Sequence, residues 1–429
     1  MRSRPEPGAG RRGTAGDGVT LLRGALVDGV PVDVTVDSGT GTVSDVGPAG
    51  AAAPAPGEPV EELHGYLLLP APAEPHAHLD KAFLAHRAPN RTGDLAGAVE
   101  AMLTVLPSVT PDDLRRRSRA AALDALAHGA TAVRSHADVG VHAGLRHVEA
   151  LIELRDDLRD VLTLQVVALA AAPLTGSEGT ANARLLHAAL AAGADAAGGC
   201  PHLDPDPAAC VETVLDAAEA AGVPVDLHAD ETTDPASRDL DVLAAAVTRR
   251  AFRHGATAGH CVSLGQRSPR AAAATARAVA AAGVAVVALP QTNLYLQGRD
   301  RPSAAPRGLT AVRALLDAGV TVAAGGDNVQ DPFNPLGRGD PLEAAALLVA
   351  AGHLQPAEAY RAVSDGARRA MGLAPVAVAA GCPADLLAVR AGSVAEALAT
   401  LTPDRVVVRR GRVVARTRVT REWRQMTAV

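Results

Sequence analysis

Residues 74–83 read EPHAHLDKAF. His76 and His78 are two positions apart, so on an extended strand both side chains leave the same face and both imidazoles can reach one ion. Three residues further on stands Lys81, the only lysine; every other one of the 41 basic residues is arginine. A compact ammonium differs chemically from a planar guanidinium, so a single lysine kept beside paired histidines is read as a functional, ligand-facing group. Aromatic residues are only 2% of the chain, yet Phe83, Tyr295 and Phe333 each lie beside a polar motif. Side chains rationed in this way are expected to line the pocket of a flat ligand.

Outward from this decapeptide, residues 67 to 375 alternate short apolar runs with Ala/Leu/Arg stretches of helical period. The runs at 66–71, 131–136, 162–169, 195–200, 223–228, 256–261, 284–289 and 320–325 predict eight strands, of which 195–200 is the weakest. The stretch 110–129, TPDDLRRRSRAAALDALAHG, has a Thr-Pro-acidic start and a Gly stop, as helix capping and the macrodipole require. No Gly-rich phosphate loop follows the first run, which argues against an open doubly wound sheet. The fold class is therefore α/β, a closed (β/α)8 TIM barrel.

Both ends of the chain are different. Residues 18–50 and the stretches PADLLAV (383–389) and RVVVRRGRVVART (405–417) are short β-branched runs between turn residues. They predict a small composite β-sandwich domain built from both ends, with parts at 18–65 and 376–429 bracketing a barrel at 66–375. Residues 1–17 carry an Arg pair but no uninterrupted apolar stretch of the kind a secretion signal needs, and are expected to form a mobile tail.

Composition limits the partners. With 41 basic and 47 acidic residues the net charge is −6, which argues against a nucleic-acid partner. Apolar residues make up 48% and charged residues 21%, enough for a large core. No apolar window is long enough for a membrane span. The four cysteines, Cys200, Cys210, Cys261 and Cys382, form no CxxC pair, so neither a disulfide framework nor a thiolate zinc site is indicated, and a cytoplasmic location fits. Ala/Leu-rich helices leave a homo-oligomer possible.

In such a barrel the active site gathers at the C-terminal ends of the strands. His136 and Asp138 stand there after the second run, His202 after the fourth, His228 and Glu231 after the fifth, His260 at the sixth and Asp327 after the eighth. Imidazoles and a carboxylate drawn from separate strands around one divalent cation leave a position open for water, as in a catalytic metal site. Glu231, three residues after His228, is placed to shuttle protons, with Asp230 and Asp234 as competitors in the same loop. His136 and His202 either face the substrate, support the site from behind, or are buried structural histidines. His64, His86, His128, His142, His147, His187, His254 and His353 are expected at the surface.

Six segments now carry a resemblance: EPHAHLDKAF, AVRSHADV (132–139), LHADETTD (227–234), GHCVSL (259–264), LPQTNLYLQGRDRPSAAPRGLTAV (289–312) and GGDNVQDPFNPLGRGDPLEAA (325–345). In order, spacing and flanks the chain resembles the amidohydrolase superfamily, and within it the cytosine deaminase branch. The resemblance implies His76, His78, His228 and Asp327 as ligands of one Zn(II) or Fe(II), Glu231 as proton shuttle and His260 as a polarising group. It also implies a small nitrogen heterocycle as substrate, hydrolysed at the exocyclic C–N bond of a cyclic amidine with ammonia release. Contacts to that ring are expected from Lys81, Phe83, His136, Asn293, Tyr295, Asn328 and Phe333. Three positions depart from the cytosine deaminase pattern. Ala171 stands where those enzymes place a ring-reading glutamine, Asn328 replaces a second aspartate, and Lys81 replaces an uncharged residue, although relatives acting on triazine rings can carry lysine there. Without that amide and carboxylate the site should not select cytosine. An N-alkyl aminohydrolase releasing an amine, or a barrel that binds without catalysis, are the alternatives.

Overall fold

The computed structural model describes residues 18–423; the tail expected at 1–17 lies outside the described residues. Eight parallel strands follow one another in chain order: Ala73–Ala77, Ala132–Val139, Thr163–Ala170, Ala196–Gly198, Val225–Ala229, Ala256–His260, Ala285–Ala288 and Val322–Ala324. The last returns to the first beyond its formal end. Ala77 bridges Asp327 in parallel, with Asp327 N–H donating to His76 O at 3.0 Å and His78 N–H to Asp327 O at 3.2 Å. Barrel closure and the meeting of the proposed ligands are thus one structural event.

Helices cover the outside of the barrel, as their sequences require. In Pro111–Ala127 the Thr110 side chain accepts from Asp113 N–H, Pro111 opens the first turn, and Asp112 and Asp113 face the positive end of the dipole. Leu114, Ser118, Ala121, Ala122, Ala125 and Leu126 form its buried stripe, the spacing of one helical face. The small alanines allow the helix to approach the strands closely.

The second sheet also has eight strands, drawn from both chain ends: Val19–Val27, Val30–Asp37, Thr42–Pro48, Val60–Glu62, Leu67–Pro70, Leu386–Val389, Arg405–Arg409 and Arg412–Thr417. Its two halves are joined by the register pair of Leu26 with Leu67 and by an antiparallel bridge of Thr42 with Pro383. They close around one apolar cluster containing Leu22, Val34, Val36 and Val43 from one half and Leu68, Leu386, Val406 and Val408 from the other.

One strand differs from the sequence reading. The run at 66–71 does not open the barrel: Leu67–Pro70 pairs antiparallel with Leu386–Val389 in the second sheet. Leu67 and Leu69 face the barrel's main core while Leu68 faces the other core, the alternation of a strand buried on both sides. The first barrel strand is AEPHA at 73–77, whose polar sequence hides it. Its inward side chains serve the site rather than an apolar core.

Candidate metal centre and active site

His76 Nε2 lies 3.2 Å and His78 Nε2 3.1 Å from His228 Nε2. Asp327 Oδ1 is 3.3 Å from His78 Nε2 and 3.7 Å from His76 Nε2. Ligands held at about 2.1 Å by one ion in a tetrahedron stand roughly 3.4 Å apart, so these four atoms have the separations of a coordination shell. Three Nε2 atoms converging on one another make a poor set of hydrogen bonds but a good set of lone pairs. Both Asp327 oxygens are buried without a hydrogen-bond partner, a costly state that a bound cation would relieve. Burial, reinforced by neighbouring imidazoles, pushes the pKa of His76 and of His228 well below the ordinary range, keeping both neutral and able to ligate. Burial opposes ionisation of Asp327, but His78 and His260 outweigh it and hold the carboxyl below its usual value. The donor set fits one divalent metal.

The backbone is bent to make this arrangement. His260 and Asp327 adopt φ of +67° and +64°, left-handed conformations that a non-glycine residue reaches only at some cost, on the order of 1–3 kcal/mol. Each ends its strand with the turn that swings the side chain over the barrel axis.

Glu231 is buried and lies on the wall of a cavity of about 310 Å³ above the ligands. Its Oε1 is 3.5 Å from His260 Nδ1 and its Oε2 3.9 Å from His202 Nε2. Burial first, and then the Asp327 charge, raise its pKa well above the ordinary value, so it holds a proton ready to give. The competitors in its loop are eliminated. Asp230 is taken up by Ser237 Oγ at 2.6 Å and Asp239 N–H at 2.8 Å, capping the next helix, and Asp234 is exposed.

His78, Lys81, His228, His260, Asp327, Asn328 and Phe333 also line the cavity. Lys81 Nζ lies 2.7 Å from Asp138 Oδ1 and 3.0 Å from His78 Nδ1. Other expected contacts lie elsewhere. His136 is fully buried beneath the ligands, its ring centroid 3.9 Å from that of His76, and is not on the cavity wall. Asn293 acts through His260, whose Nδ1 is 3.1 Å from Asn293 Oδ1. Phe83 packs against the barrel core, and Tyr295 lies under the Arg299 guanidinium, 4.4 Å from its ring centroid; neither lines the cavity.

The surface assignment fails for His147, which is buried with Nδ1 2.8 Å from Asp80 Oδ2. His142 is exposed as expected, and it also lies on the cavity wall. Sequence reading also missed the apolar cover formed by Leu95, Val99, Met102, Leu103 and Leu106, because nothing in helix Leu95–Val105 signals that it faces a site rather than a core. Asp138, already named at the end of the second run, is on the cavity wall; Cys200 could have been found in the same way, since it follows a barrel strand.

Comparison with known proteins agrees with this geometry. The model of an amidohydrolase family matches residues 87–415. The chain is 35% identical over 383 residues to a pterin deaminase from Rhizobium rhizogenes, covering 88% of this chain and 86% of that protein. The structure of 5-methylcytosine deaminase from Klebsiella pneumoniae with phosphonocytosine matches with a TM-score of 0.83 at 29% identity, covering 95% of this chain and all of that one. That of N-isopropylammelide isopropylaminohydrolase from Burkholderia multivorans gives a TM-score of 0.79 at 31% identity, over 93% and 98% of the two chains. With a parallel barrel, a cluster of histidines and an aspartate at its C-terminal mouth, and these relatives, the chain belongs to the amidohydrolase family, in its deaminase branch.

Proposed function

We propose that the chain is a metal-dependent aminohydrolase that replaces the exocyclic amino group of a cyclic amidine with oxygen, consuming water and releasing ammonia. The observation that carries this reading is the convergence of His76, His78, His228 and Asp327 beneath a cavity whose wall holds the buried Glu231 carboxyl. One Zn(II) or Fe(II) bound by these four residues supplies Lewis acidity, which makes water nucleophilic at neutral pH.

The remaining chemistry belongs to the side chains. Asp327 accepts a proton from the attacking water. His260, with Nδ1 committed to Asn293, presents Nε2 to that water as a hydrogen-bond acceptor and orients it. Glu231 delivers its proton to the departing nitrogen, so that ammonia rather than amide anion leaves. A fused bicyclic ring of the pterin kind suits both the roomy cavity and the relative from Rhizobium rhizogenes.

A second reading has an alkylamine as the leaving group. The apolar wall of Leu95, Val99, Met102 and Leu103 favours it, since an N-alkyl substituent would be buried there. Ammonia and amine release from pterins, cytosines, aminotriazines and aminopurines, measured with the zinc and iron forms, tests both readings. Absence of turnover on every ring by metal-loaded enzyme would overturn the proposal.

A further inference from the structure

Asp138 stands near the end of strand Ala132–Val139 and is held from behind: its N–H donates to Asp80 Oδ2 at 3.1 Å, and that oxygen is also 2.8 Å from His147 Nδ1. In front, Oδ1 receives the Lys81 ammonium at 2.7 Å, while the side chain keeps 28% of its surface exposed on the cavity wall. Lys81 is 4% exposed and faces His78 Nδ1 at 3.0 Å as its second neighbour. An ammonium has three N–H groups, and the one given to Asp138 leaves others for a ligand, since His78 with Nε2 turned to the proposed ion carries its own hydrogen on Nδ1. Asn328, the amide on this wall, has its Nδ2 committed to Asp331 Oδ2 at 2.8 Å, and the carboxyls of Glu231 and Asp327 belong to the proposed chemistry. Ala171, Val139 and Leu169 offer no side-chain hydrogen bond.

We propose that Asp138 and Lys81 together read the edge of the ring beside the attacked carbon: Asp138 Oδ2 accepts a ring N–H, and Lys81 donates a second N–H to the carbonyl oxygen next to it. The inference rests on the aminohydrolase reading and narrows its substrate class. Rings with a 2-amino-4-oxo order, as in isocytosine and fused pyrimidinones, present N–H followed by C=O along that edge. Cytosine, with its 4-amino-2-oxo order, presents a lone pair where the carboxylate needs a donor, and two acceptors face each other unpaired. Because Asp138 is held by Asp80 and the cavity wall, the pair is set before the ring enters.

Isocytosine and cytosine are isomers of one ring, so their kcat/KM ratio isolates the edge. Wild-type enzyme is expected to prefer isocytosine by about tenfold or more. In Asp138→Asn the single amide oxygen stays on Lys81 and an NH2 faces the ring, which suits a lone pair and repels an N–H. The preference is therefore expected to invert, with the change largely in KM and with melting temperature and metal content close to wild type. A wild-type ratio at or below one overturns the inference whether or not the variant folds. So does an unchanged ratio in folded Asp138→Asn. Failure of every ring to turn over instead removes the aminohydrolase reading on which the inference rests.

Discussion

Glu74 Oε2 accepts the Gly326 N–H at 2.8 Å and so ties the first barrel strand to the segment following the last. Its Oε1 accepts the His76 N–H at 3.1 Å, so one buried carboxyl fixes the backbone beside two of the proposed ligands, His76 and Asp327. Gly325 is required here, because a Cβ would come within 2.3 Å of Glu74 Oε1.

Glu74→Ala leaves two buried N–H groups without acceptors, at roughly 1–3 kcal/mol each. A lower melting temperature and loss of bound metal are expected together, measured by calorimetry and elemental analysis. Wild-type values in both would show that closure of the barrel does not depend on this side chain.

Glu231→Gln and His228→Ala should fail in different ways. The first keeps all four proposed ligands, so metal content should stay at wild-type level while kcat falls by about 10²–10⁴-fold, the usual worth of a positioned proton donor. The second removes a ligand and should lose both metal and turnover. For wild type, the protonated form of Glu231 is the active acid, so the rate should fall as pH rises through its raised pKa. Full activity in both variants would sink the mechanism.

Chelation leaves the Asp327 oxygens buried and unpaired. The metal-free chain should melt at lower temperature, and Zn(II) or Fe(II) should restore it, with about 4 kcal/mol gained at a thousandfold excess over Kd. A melting temperature indifferent to chelator would contradict the proposed coordination.

Lys81→Arg preserves charge but not shape. The ammonium sits between Asp138 and His78, almost wholly buried, and a guanidinium is larger and planar, with its N–H groups in a different geometry. Turnover is expected to fall by at least about tenfold, the worth of one charge-assisted hydrogen bond. Unchanged turnover would assign Lys81 a passive role.

Burial pushes the Asp331 carboxyl up to about 6, despite hydrogen bonds from Asn328 and from the Asn334 backbone. Its folded-state pKa therefore lies above the ordinary 3.8, and the native chain holds an extra proton between these values. The resulting stability, on the order of 3 kcal/mol, is fully present below pH 4 and is lost as pH rises through 6. Asp331→Asn should flatten this part of the pH–melting curve. A wild-type slope in the variant would show that Asp331 does not titrate there.

The sequence by itself determined the elements and the donors. Period and caps marked Pro111–Ala127 as a helix, the β-branched ends marked the second sheet, and the positions of His76, His78, His228, His260 and Asp327 after apolar runs marked a site, because these signals are local. It did not separate Leu67–Pro70 from Ala73–Ala77, since both are short runs and only hydrogen-bonding partners hundreds of residues away tell them apart. Nor did it show that His136 lies beneath the ligands while Asp138, two residues later on the same strand, reaches the cavity wall. Side-chain alternation puts both on one face; depth along the barrel axis, set by how neighbouring strands stagger and close, decided which one meets the ligand.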